Sequence, residues 1–594
     1  MKKFLCLLLF CCLLVGCSSQ SSQEEKVDSN PIPSDTTNKT NLSEDDMFTN
    51  RDLDESFDKD QCIQIQLDVN GSSASSDSVQ IKDNVITISE EATYYISGQL
   101  DDGSLVVNAN DQAKIHFIFD NVSLTSKTSA PLYIVEADKV VITLAKDSKN
   151  ILSSGDSFIA IDDNNIDGTI FSKQDLSFNG SGSLEIISPS GHGIVCKDDL
   201  VISNGSYVIQ SASHGLDVND SIRIGGSDTK IDIVAGKDGM HCENSDDTSL
   251  GFIYIVDIST TLKVEGDGMD AGSDVTIKGG HLNIVAGGGS ENGTKQSSDQ
   301  FGGFMGGGRP GEFHSNATTT DEDSTSMKGI KATNHLLIDG GIFEINAADD
   351  SLHSNGNVTI NGGEFIIATG DDALHSEDTL LVNGGKIDVS ESYEGLEALH
   401  IDVKGGDISL VASDDGFNAA GGVDESGFTG GRDGMFGGPG GHGGFGGGMS
   451  SNSDGTITIS GGNIHIEAYG DGIDANGSVT ISGGNTIVVG PTYGDTATLD
   501  YDISCSISGG SFIGTGGAGM AQSFSEANQG LLALNVGNVS ANTPIIILDQ
   551  DGKEVVSHTP TLDYAVVIIS TPDIISQNTY TVNIGEQSAD IQAN

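Results

Sequence analysis

The chain has 594 residues, 80 of them glycine and none tryptophan, with a formal net charge of −59. So acidic a chain repels nucleic acid and anionic membrane, which excludes both as partners and leaves cations, neutral surfaces, or acidic polymers reached through a bridging metal. A repeat protein lengthens by adding units, so length alone does not fix the number of domains.

Residues 1–17 carry a Lys2-Lys3 head, an apolar run from Phe4 to Val15, and the sequence Leu14-Val15-Gly16-Cys17. This resembles the lipobox of bacterial lipoproteins, which implies cleavage before Cys17, a diacylglycerol on that cysteine, and a place on the outer face of the cell membrane. No later apolar run is long enough to span a bilayer, so the lipid alone would be the anchor. Residues 18–60 have the Ser, Thr, Asn, Asp and Glu composition of a disordered tether. Strands begin at Cys62-Ile63-Gln64-Ile65-Gln66-Leu67, and the segment from Val85 to Leu152 is expected to form wide, irregular starting coils that also cap the exposed strand edges.

From Asn334 to Asn418 one unit recurs with glycine pairs at Gly340/Gly341, Gly362/Gly363, Gly384/Gly385 and Gly405/Gly406, steps of 22, 22 and 21 residues. Runs such as Val358-Thr359-Ile360 and Phe365-Ile366-Ile367 are too short for helices, and glycine or aspartate interrupts them. Each unit reads as strand, turn, strand, turn: one coil of an all-β parallel β-helix, a solenoid of about 22 residues per coil spanning 61–530. Glycine-rich insertions at 287–326 and 421–454 interrupt it and cannot pack a core. Residues 531–594 predict a small C-terminal β cap. Cys196 and Cys242 fill the same slot with one coil between them, roughly 10 Å apart, and are expected to be buried thiols rather than a disulfide.

The second turn of successive coils repeats an acid, usually a glycine, an apolar residue and a polar residue. The acids are Asp238, Asp267, Asp350, Asp372, Glu394, Asp415 and Asp471; the polar partners include Asp270, Glu397 and Asp474; Asp349, Asp371 and Asp414 add an acid just before. Aspartate before glycine is first a turn signal, its carboxylate accepting backbone N–H groups while glycine takes positive φ. That accounts for one occurrence better than for a column. Carboxylates stacked about 4.8 Å apart repel by roughly 3 to 4 kcal/mol per pair at an effective dielectric of 20. Such a ladder calls for cations, and hard oxygen ligands suit Ca²⁺, so these thirteen residues are the candidate metal ligands. His241, His353 and His375 lie in the same columns, but no single coil offers the compact His/Cys set of a structural zinc site. They are expected to face solvent or sugar.

The lipobox, YISGQL, FDNVSL, TIFSKQDLSFNGSGSLEI, HGIVCKDDLVI, the KDGMH and GDGMDA turns and the glycine-rich insertions together resemble the clostridial family of carbohydrate-binding β-helix lipoproteins, from about Gln61 to the C-terminus. The resemblance implies a right-handed parallel β-helix that binds calcium and cellulose-like or acidic, pectin-type polysaccharide. The expected function is non-catalytic glycan binding by a monomer. The alternatives are a calcium-dependent polysaccharide lyase, for which Lys237 beside Asp238 is the one well-placed base, and a surface scaffold that binds no glycan.

Overall fold

A computed structural model describes residues 47–159, 162–295, 326–419, 454–492 and 496–594. The leader with Cys17, the tether up to residue 46, most of the first glycine-rich insertion and nearly all of the second lie outside the described residues. Within them the chain forms a parallel β-solenoid.

Each coil contributes three strands rather than two. In one coil these are His335–Ile338, Ile342–Ala347 and Leu352–Ser354, each pairing in parallel with its counterpart one coil on. The third strand has three residues, too few for alternation to show in sequence, and it carries the acid motif's apolar and polar positions. Between the first two strands the chain turns sharply at the second glycine of each pair, with φ of 120° at Gly341, 111° at Gly363 and 100° at Gly385. Side chains with a Cβ are strained there.

The second strand shows why its sequence alternates, since every other residue of Ile342–Ala347 is buried. Because register is kept from coil to coil, Leu336, Val358, Leu380, Ile401, Ile457 and Val479 form one continuous buried row. Phe343 and Phe365 stack inside the coils at 4.6 Å with planes 7° apart. Register survives the insertions: Ala286 pairs with Ala347 as Ala347 pairs with Thr369. Cys196 and Cys242 flank Val218 in one such row, both buried and both free.

At the far end the strand Ser511–Gly516 pairs antiparallel with Tyr564–Ser570, which also pairs with Leu532–Val539. A separate four-stranded sheet, built from Ile545–Leu548, Glu554–His558, Thr579–Ile584 and Gln587–Gln592, packs its own apolar cluster there.

The described part of the expected tether is docked on the coils. A short helix, Asn50–Leu53, buries Asp52 completely. The Asp52 carboxylate accepts from Ser177 Oγ at 2.5 Å and lies 2.7 Å from Lys139 Nζ, while its carbonyl accepts from Asn179 and Ser203. The composition of this stretch is that of a solvated chain, but the polar outer faces of these coils supply its partners. Asp52→Ala leaves Lys139 without its buried partner and is expected to cost about 3 kcal/mol. Limited proteolysis would show this as fast cleavage between Met47 and Phe57 with the coils intact.

Candidate functional site

The third strands stack along one edge of the solenoid and align the motif residues in two rows. One row holds the acid of each motif. The other runs Asp217, His241, Asp270, Lys331, His353, His375, Glu397, Asn418, Asp474 and Asp500 in consecutive register. All thirteen predicted ligands therefore lie on this edge. From Asp238 to Asp471 they span seven coil steps, roughly 34 Å at the ordinary strand spacing, so they form several local clusters rather than one site.

The acid row has a structural task. Oδ1 of Asp238 accepts the backbone N–H of Asp267 at 2.8 Å, Asp267 that of Lys328 at 2.6 Å, Asp350 that of Asp372 at 3.0 Å, and Asp415 that of Asp471 at 2.5 Å; Asp471 does the same for Ala497. Each aspartate thus fastens the coil that follows. The glycine after it is not there for positive φ. Gly268 lies outside the left-handed region, and a Cβ on it would sit 2.4 Å from the Gly329 carbonyl and 2.5 Å from Ile284. Close approach of successive coils is what favours a small residue at this slot, glycine in most coils and Ser351 or Ala373 in two of them.

In the middle coils the second oxygen of Asp350 meets a cation that the chain itself supplies. Lys328 and Lys331, buried in the middle of the two rows, are the residues sequence reasoning missed. Lys328 Nζ lies 3.0 Å from Asp349 and 2.9 Å from Asp350, and Lys331 Nζ lies 3.8 Å from Asp270. Their coil follows a long insertion, yet Lys328-Gly329-Ile330-Lys331 keeps the motif frame with the charge reversed, and that was the available signal. Burial acts to raise the Asp350 carboxyl, but Lys328 and His353 hold it well below the usual range. Asp371 lies 3.4 Å from Lys295 Nζ.

Two of the three histidines do not face solvent, and His241 does so only in part. His353 and His375 are buried, stacked at 4.7 Å, with His353 Nδ1 2.8 Å from Asp350 and His375 Nδ1 3.0 Å from Asp372 and 2.8 Å from Glu397. His214, Asp238 and His241 form a second imidazole and carboxylate cluster. The expectation of an exposed polar column fails because the sets assemble across coils, not within one.

Beyond Glu397 the two rows change character. Glu394, Asp415 and Asp471 in one row, and Glu397, Asn418, Asp474 and Asp500 in the other, are all oxygen-bearing, with no lysine or histidine among them. Burial is the largest cause raising Asp471 to about 7 and Asp474 to about 6, with neighbouring carboxylates adding to it, and it also raises Asp415 and Glu394. Asn418, only 7% exposed, donates through Nδ2 to Glu394 at 2.8 Å, while its Oδ1 is enclosed with no hydrogen-bond donor.

The outer face of the second strands is polar near this end. Lys386, Asp407, Asn463 and Asn485 stand in one row, and with Asp388, His465 and the apolar Ile387, Ile408, Ile464 and Ile487 they line an open groove of about 250 Å³.

Comparison with known proteins returns carbohydrate-binding relatives. Residues 82–373 match the family model described as carbohydrate-binding domain-containing protein. A carbohydrate-binding domain-containing protein of Acetivibrio thermocellus is 29% identical over 137 residues, 23% of this chain and 48% of that protein, so the chain spans about half the length of this relative. A solved structure titled as a polysaccharide lyase-like protein from C. thermocellum, in a gadolinium derivative, aligns at 22% identity and a TM-score of 0.35, covering 54% of this chain and 96% of that one. The match thus takes in His214, His241, Lys328, Lys331 and His353 and stops just before His375 and the oxygen-only rows.

Proposed function

We propose that the protein is a cell-surface lipoprotein, anchored through Cys17, that binds polysaccharide without cleaving it and is stabilised by calcium. The observation that carries the glycan reading is the match of residues 82–373 to a carbohydrate-binding domain family. The solenoid adds a suitable surface. Hydrogen-bonding side chains repeat along its axis every strand spacing, so an extended glycan lying along the groove would meet equivalent groups on successive coils.

Calcium is assigned to the oxygen-only rows. Glu394, Glu397, Asp415, Asn418, Asp471 and Asp474 are the residues that would hold it, since Ca²⁺ takes six to eight oxygen ligands. The enclosed Asn418 Oδ1 supports the fit: a buried acceptor without a donor costs about 1–3 kcal/mol and is what a cation would satisfy. Where Lys328 and Lys331 already neutralise Asp349, Asp350 and Asp270, calcium has less to do.

A glycan array probed with and without chelator tests the reading. Retention of an acidic, pectin-type polymer in calcium, with no ultraviolet-absorbing unsaturated product, is expected. Product formation would replace the binder with a lyase using Lys237. Retention of no glycan at all would leave a scaffold.

A further inference from the structure

We propose that His214, Asp238 and His241, with Asp270 completing the set, form a site for a divalent transition cation of the zinc class, chemically distinct from the oxygen-only rows. The proposal does not depend on what the coils bind.

The geometry is that of a coordination shell. One ligand atom from each of His214, Asp238 and His241 lies within 4.8 Å of the others. His214 Nδ1 is 2.9 Å from Asp238 Oδ2, His241 Nδ1 is 3.5 Å from the same oxygen, and His241 Nδ1 is 3.2 Å from Asp270 Oδ2. Zinc bonds of about 2.0–2.1 Å in a tetrahedron separate neighbouring ligand atoms by about 3.3 Å. The three measured separations bracket that value, and closing the shell requires His214 Nδ1 to turn its lone pair from the Asp238 backbone N–H, 3.3 Å away, to the metal.

Register explains the convergence. His214, Asp238 with His241, and Asp270 come from three successive coils, and parallel stacking lays the His214 and His241 rings face to face at 4.7 Å. His192 continues the stack at 5.1 Å from His214, and its Nδ1 is buried without a hydrogen-bond partner. On the far side of His241, Nε2 lies 3.7 Å from Glu243. A small approach would let that carboxylate accept the Nε2 proton and leave the Nδ1 lone pair for a metal, as the usual outer partner of a metal-binding histidine does.

The buried pair His353 and His375 supplies an internal contrast. There Asp350 already has the Lys328 ammonium at 2.9 Å. Asp238 has no lysine or arginine partner among the described residues; its side chain meets only His214, His241 and the Asp267 N–H. Two imidazoles and one or two carboxylates suit Zn²⁺, Co²⁺ or Ni²⁺, whereas Ca²⁺ favours oxygen throughout. The His214 cluster also keeps some solvent access, with side chains 12–20% exposed.

The test is calorimetric titration of the full chain with Zn²⁺ after chelator treatment, run in calcium-saturated buffer. One equivalent is expected, unaffected by excess calcium, and weakened roughly 100-fold or more by His214→Gln or His241→Gln, since even outer partners change metal affinity 10–100-fold. Glu394→Gln should leave it unchanged. Should either histidine variant misfold, Co²⁺ added to the unmodified protein must give the intense visible bands of a tetrahedral site. Weak octahedral bands, no zinc uptake at micromolar concentrations, or equal uptake by folded histidine variants would overturn the proposal. Loss of glycan retention with zinc uptake intact would sink the binder reading alone.

Discussion

Lys328→Met is expected to destabilise the middle coils by about 3–5 kcal/mol, the usual cost of removing one partner from a buried ion pair. The ammonium is almost fully buried and stands within 3.0 Å of both Asp349 and Asp350, which are themselves buried. Methionine fills similar volume but leaves two buried carboxylates facing each other with only the His353 imidazole beside them. Because a solenoid opens locally, the loss should show as faster amide exchange in the strands Ile330–Ala332 and Leu352–Ser354, while the terminal sheet exchanges as before. Adding Asp350→Asn should recover part of the stability, since asparagine keeps an acceptor for the Asp372 N–H. A double variant no more stable than Lys328→Met would show that charge burial is not the cause.

In chelator, the protein is expected to lose stability as pH rises from about 4 to 8, and millimolar calcium should abolish most of that loss. The sign follows from the raised carboxyls of the oxygen-only rows. Asp471 moves from 3.8 to about 7 and Asp474 to about 6, so across that window the folded chain binds more protons than the unfolded one. Stability from these groups is complete below the unfolded value and lost as pH passes through the folded values. For Asp471 alone the move from 3.8 to about 7 corresponds to about 4 kcal/mol. Calcium replaces the lost protons and should help most at pH 8 and least at pH 5, where protons compete. Thermal melting across pH in EDTA and in calcium measures both arms. Parallel curves with no calcium effect would remove the metal from this end of the ladder.

Much of this architecture was legible because the period is long and strict. Glycine pairs every 22 residues, alternating short runs and recurring acids fix a stack of coils and place the acids on one edge. The third strand was hidden by its brevity. Lys328 and Lys331 were hidden by the insertion before them and by a sign opposite to their neighbours, although the glycine and apolar residue between them keep the frame. The burial of His353 and His375 was not readable either, since what encloses them belongs to adjacent coils and depends on distances across the stack. The docking of Met47–Phe57 escaped for a related reason: Asp52 is polar in isolation, and its partners Lys139 and Ser177 are remote in sequence.

The aspartates that fasten several coils to their successors also set how the molecule would yield under tension. Each such bond joins one coil to the next, over 22 residues between Asp350 and Asp372, 61 between Asp267 and Lys328, and 56 between Asp415 and Asp471. A pull on one end would unwind the spiral turn by turn, releasing slack in short even steps with two long ones where the glycine-rich excursions lie. The protein would behave as a graded shock absorber.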